Sequence, residues 1–225
     1  TWQYLYEYVI YFPNIDKYMS PTSIQYRLGM IPDDITNNDA LFLKMIKVGT
    51  LVSALPEIKT IPNTPYEKSA TNQIAMIELN PTDLVTKVHY RHELSGYEAN
   101  YIQPFYDFLP EDKKKEVIES MLKLMNEDTK IVDFKVENTD HNISPFDKSF
   151  NIDGNLEVKN LIEKAGDNII FKLGEVIGLQ EEMYDEHKRD NPVELQFAHY
   201  YMRDLRVKIP EGYTLKGTEN LIMNI

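Results

Sequence analysis

Apolar and polar residues alternate with a period of two along most of this chain. Leu205, Val207 and Ile209 alternate with Asp204, Arg206 and Lys208. Phe150, Ile152, Leu156 and Val158 alternate with Asn151, Asp153, Asn155 and Glu157, and Val132, Phe134 and Val136 form a third such face. Over 84–94, Leu84, Val88, Tyr90 and Leu94 share one side, while Lys87, His89, Arg91 and Glu93 share the other. Successive strand side chains point to opposite faces, so the pattern predicts half-buried antiparallel strands. Further strands are predicted near 4–12, 41–48, 73–79, 169–173 and 220–224.

The period changes between about 95 and 126. After Pro110, the residues Val117, Ile118, Met121, Leu122 and Met125 fall three and four apart, which is the stripe of an amphipathic helix. Proline suits a first helical turn, and Glu111 and Asp112 suit its positive end. Tyr97, Tyr101, Ile102, Phe105 and Phe108 show similar spacing and predict a second helix before Pro110. The expected fold is mainly β (α+β), an antiparallel β-sandwich with one helical hairpin excursion at about 95–126. Asn- and Pro-rich stretches at 32–39, 61–69 and 138–145 mark loops, the first a candidate domain boundary.

Composition narrows the function classes. The chain has 225 residues with 36 Asp+Glu against 24 Lys+Arg, a formal charge of −12. That field repels a phosphate backbone, so no nucleic-acid partner is expected. No apolar run approaches the ~18 residues that span a bilayer. There is no cysteine, which excludes disulfides, thiolate metal sites and a cysteine nucleophile within these residues. The chain opens on Thr1 and closes within the apolar Leu221, Ile222, Met223 segment, and reads as a piece of a longer protein.

Candidate chemistry is sparse. There is no G-x-S-x-G elbow, phosphate loop or H-E-x-x-H. His89 and His92 fall on opposite strand faces and cannot share a metal without a bulge. Asp140 and His141, with Glu137 nearby, offer nitrogen and carboxylate ligands, yet a turn of Asn, Asp, Ser and Pro demands the same residues. Asp153, Gly154 and Asn155 lack the spacing of a calcium loop and read as a bulge or tight turn. The charge run 181–190 reads as a solvated connector. Trp2, Tyr4, Tyr6 and Tyr8 form an aromatic strand face suited to sheet packing. No cofactor and no metal are expected.

Two stretches carry a family likeness. The first is Tyr11-Phe12-Pro13 followed by Ile15-Asp16-Lys17-Tyr18-Met19-Ser20-Pro21-Thr22. The second combines Gly174-Glu175-Val176-Ile177-Gly178, Glu182-Met183-Tyr184, Lys188-Arg189, Pro192-Val193-Glu194 and Ile209-Pro210-Glu211-Gly212-Tyr213. Together they resemble transglutaminase-like envelope proteins of Gram-negative bacteria, in which a papain-like core is flanked by β-rich domains. The resemblance implies that 1–40 is the tail of such a core and 41–225 a flanking β-sandwich domain. It also implies a periplasmic or other envelope location. The family's catalytic His and Asp map onto Glu7 and Ser20. Glutamate is too weak a base for a thiol near pH 7, and serine holds no charge to steady an imidazolium. The implied function is a non-catalytic binding or structural module with a protein or glycan partner. The alternative is the accessory half of a cysteine-dependent amide-acting enzyme whose nucleophile lies upstream.

Overall fold

The computed structural model describes residues 7–123, 126, 128–178, 190 and 195–217. Its centre is a five-stranded sheet. The strands are β5 (Ala70–Asn80), β6 (Val85–Ser95), β7 (Thr129–Glu137), β8 (Phe150–Val158) and β11 (Tyr200–Lys208), in the order β11-β5-β6-β8-β7. Three two-stranded ribbons accompany it: β1 (Ile10–Phe12) with β2 (Lys17–Met19), β3 (Asp39–Val48) with β4 (Leu51–Thr60), and β9 (Ile162–Ala165) with β10 (Asn168–Phe171). The β5–β6 turn is closed by side chains: Asn80 Oδ1 accepts the Thr82 N–H at 2.9 Å and Asp83 Oδ1 the Val85 N–H at 3.0 Å. Leu84, expected on a strand, sits in this turn at φ 59°.

The register puts Ile77, Val88 and Leu156 in one row of the inner face, and Ala75, Tyr90, Gly154 and Phe134 in the next. What covers this face is helical. Helix α2 (Glu111–Lys123) inserts Ile118 and Leu122, both 0% exposed, and the segment containing Ala99, Ile102 and Tyr106 completes the core. The mainly β expectation stands, but the antiparallel sandwich is corrected on two counts. The apolar stripes of the helical excursion supply the second layer in place of a facing sheet. The fifth strand, β11, runs parallel to β5, because it is reached through a long connection and not a hairpin.

The outer face is a ladder of charges. Arg91 lies within 2.8 Å of Glu93, 3.4 Å of Glu137 and 3.5 Å of Asp153, and Lys130 meets Glu157 at 2.8 Å. Gly154 lies mid-strand, so the turn reading is corrected. A Cβ there would lie 3.4 Å from Leu122 Cδ1 and 3.4 Å from the Asp133 carbonyl oxygen, so the site is closely packed against α2 and β7. The bulge sits opposite, between Ile131 and Asp133 of β7.

The predicted helix over 95–108 is realised as a 3-10 turn, Gly96–Tyr101, followed by the four-residue α1 (Gln103–Tyr106). A second, small core joins Tyr18, Ile31 and Ile61 with Val9, Ala40 and Phe42. Strand β4 escaped sequence reading, since Pro56 interrupts its pattern and only Gly49 and Thr50 separate it from β3. The aromatic stripe at 2–6, the charge run 181–189 and the strand predicted at 220–224 lie outside the described residues. Among those described, no helix is long and apolar enough to cross a membrane.

Candidate functional site

The residues of most chemical interest converge where the loop before β3 meets the 96–106 segment and the approach to β11. A cavity of about 290 Å³ there is lined by Gln25, Tyr26, Asp33, Tyr97, Asn100, Tyr101, Phe105, Gln196 and Phe197. Gly96 opens the 3-10 turn at φ 58°, where a Cβ would overlap the Lys68 carbonyl oxygen. The turn carries Tyr97, Asn100 and Tyr101 into the wall. Tyr97 is the structural post: its hydroxyl donates to the Ile31 carbonyl at 2.6 Å and so accepts from Thr64 Oγ1 at 2.9 Å. Its ring packs against Phe197, centroids 5.1 Å apart.

Asp33 is the acid of the site. It is 8% exposed. The Tyr26 hydroxyl donates to Oδ1 and the Gln196 side-chain amide to Oδ2. Both of these donors are neutral, and among the described residues no lysine, arginine or histidine lines the cavity. Asn100, also 8% exposed, has a carbonyl oxygen, Oδ1, buried without a hydrogen-bond partner. Burial, reinforced by the hydrogen bond to Asp33 and its charge, pushes the Tyr26 hydroxyl well above its ordinary value. Burial takes Tyr97 up to about 12. Tyr101 is raised by burial, then by Asp33 and Glu98. All three phenols are therefore protonated at neutral pH, and among the described residues the cavity presents aromatic faces around the Asp33 carboxylate and the Asn100 carbonyl oxygen. Tyr101 and Phe105 also wall a second, apolar cavity of about 420 Å³ with Leu94, Ile102, Val117 and Met121.

Glu7 lies at the edge of this acidic region. Partial desolvation, then Asp34 and Asp33, raise its pKa. Ser20, at the end of β2, is buried at 6% exposure.

The remaining candidates separate. His89 faces outward, with Nδ1 3.1 Å from Asn155 Oδ1, while His92 faces the core. Asp140 Oδ1 accepts the Asn142 N–H at 2.8 Å, which is the expected turn. His141 Nδ1 lies 3.3 Å from Asp107 Oδ2, which also accepts the His141 N–H at 3.1 Å. Ligand atoms of Asp107, Asp140 and His141 fall within 4.8 Å of one another, on the surface. Glu137 is not among them; it joins Lys135 and Arg91 on the outer face.

Sequence reading did not single out Asp33, Asn100 or Gln196. Asp33 sits in a Pro-Asp-Asp run that reads as a loop, and Gln196 is 163 residues away. Only the aromatic density at Tyr97, Tyr101 and Phe105 was a signal, and helical spacing explains it equally well. No protein-family model, curated protein or solved structure matches the chain.

Proposed function

We propose that this chain is a non-catalytic binding module whose cavity receives a cationic, hydrogen-bond-donating group, such as a lysine or arginine side chain of a protein partner. One observation carries the reading. Among the described residues the buried Asp33 carboxylate is held by neutral donors, beside the unpartnered Asn100 carbonyl oxygen and inside a ring of aromatic side chains. A cation supplies what this arrangement lacks. It offers charge to Asp33, an N–H to Asn100 and attraction to the ring faces, the last worth ~0.5–2 kcal/mol. The net charge of −12 steers such a partner from a distance.

The transglutaminase-like resemblance supports the same reading from another side. The positions matched to its His and Asp are Glu7 and Ser20, which supply neither base nor orienting acid for a thiol. On that resemblance we place the module's action in the bacterial envelope, following a degenerate transglutaminase-like core.

The test is calorimetric titration of the whole chain with short capped peptides carrying one Arg, one Lys, or the neutral isostere citrulline, over a range of salt. Arg and Lys peptides bind, more weakly as salt rises, and Asp33→Asn weakens them roughly 10-fold or more, as expected for loss of a charge-assisted bond. Equal binding of the citrulline peptide, or salt-independent binding of a neutral oligosaccharide in its place, overturns the reading.

A further inference from the structure

The β3–β4 ribbon holds a feature independent of the cavity. Both strands are ten residues long, and β4 is exposed throughout. The residue-for-residue register places Leu41, Leu43, Met45, Val52 and Ile58 on one side. These five are 41–77% exposed. The other side packs on the body of the protein at its base, through Ala40 and Phe42, and carries Lys44 as well as the exposed Val48, Leu51 and Leu55; the side with Leu41, Leu43 and Met45 is exposed from tip to base. A two-stranded ribbon is marginal in water by itself, and a continuous exposed apolar strip marks a contact surface.

Two charges bound the strip. Asp39 stands at its base and Lys47 near its tip, both on the apolar side. The eight-residue spacing sets them ~27 Å apart, with Leu43 midway. Among the described residues neither forms an ion pair within its own chain; Asp39 accepts only the Thr60 hydroxyl, at 2.8 Å. A strip with an acid at one end and a base at the other complements its own copy turned end for end. Stacking two ribbons about a two-fold axis over Leu43 sets each Lys47 against the other copy's Asp39 and buries the apolar rows between them. Hydrocarbon would instead desolvate both charges unpaired.

We infer that this side of the β3–β4 ribbon is a homodimer interface, closed by two reciprocal Lys47–Asp39 ion pairs. Its footprint, roughly 34 Å by 10 Å, is below the ~800 Å² per partner of a standard interface, so the dimer is weak and depends on concentration.

Sedimentation equilibrium tests this on the whole chain, from low micromolar to several hundred micromolar. The average mass rises from 26.3 kDa towards twice that value. Lys47→Glu and Asp39→Lys, which each set like charges together, hold the chain monomeric. The double variant Asp39→Lys with Lys47→Glu regains the dimer. The inference is overturned by a mass of 26.3 kDa at every concentration, by a dimer that the double variant fails to restore, or by ribbon-dependent binding to phosphatidylcholine vesicles without self-association.

Discussion

His92 gives the fold a measurable sensitivity to acid. Its ring lies on the inner face of β6 in register with Gln73 and Ile152, 5.9 Å from the Tyr90 ring, and Nε2 is buried without a partner. Burial lowers its pKa from 6.5 to about 4. Below pH 6.5 the unfolded chain takes up a proton that the folded chain refuses, so the unfolded state binds more protons and stability decreases as the pH is lowered. The contribution is complete above pH 6.5 and is lost progressively towards pH 4. At ~1.4 kcal/mol per unit the whole loss is about 3 kcal/mol, and linkage gives about 2 kcal/mol of it by pH 5. The perturbation is His92→Leu, which keeps the volume, suits the face shared with Val88, Tyr90 and Leu94, and removes an unpartnered nitrogen. Urea unfolding followed by far-ultraviolet circular dichroism, at pH 7.5, 6 and 5, compares the two proteins. The variant is as stable as the parent or more so at pH 7.5, and its advantage grows by about 2 kcal/mol at pH 5. Parallel pH profiles would refute the assignment of a buried, neutral His92.

Gly96→Ala should destabilise by more than ~2 kcal/mol, since it combines a left-handed backbone with overlap on the Lys68 carbonyl oxygen; denaturant midpoints check this, and a neutral result would mean the turn carrying Tyr97 and Asn100 is formed differently. Glu7→Gln should stabilise at pH 7 by a few tenths of a kcal/mol, because its raised pKa disfavours the charged form in the folded chain. That gain should vanish as pH falls through the folded pKa towards 4.5, and thermal melts at pH 7 and pH 4 compare the two. Duplex DNA should not bind at physiological salt, as the net charge opposes it; a salt-sensitive mobility shift would contradict this.

The strands were legible where one face is dry and the other wet. Phe150–Val158 could be read to the residue, because Phe150, Ile152, Leu156 and Val158 all enter the main core while Asp153 and Glu157 face charges. The parallel placement of β11 was not legible, since alternation states which face is buried and not which neighbour the strand meets. The 3-10 turn at Gly96–Tyr101 was hidden because three- and four-residue spacings of aromatics suit an α-helix equally well. Gly154 had the local chemistry of a turn, yet it lies mid-strand between Tyr90 and Phe134, a placement that only strand pairing supplies. The cavity was the least legible part. Asp33, Asn100 and Gln196 come from three separate segments, and what joins them is the cavity they line.

The proposed binding of a cation can be tested directly at the side chains concerned. In ¹⁵N-correlated NMR spectra of the whole chain, the Asn100 and Gln196 side-chain amides report from inside the cavity. Titration with ethylguanidinium should shift both signals in saturable fashion, ahead of those of exposed asparagines such as Asn142, and Asp33→Asn should abolish the response. Shifts confined to the outer charged face of the sheet, or an unchanged Asn100 signal at saturating guanidinium, would contradict the account of this cavity as a cation-binding site.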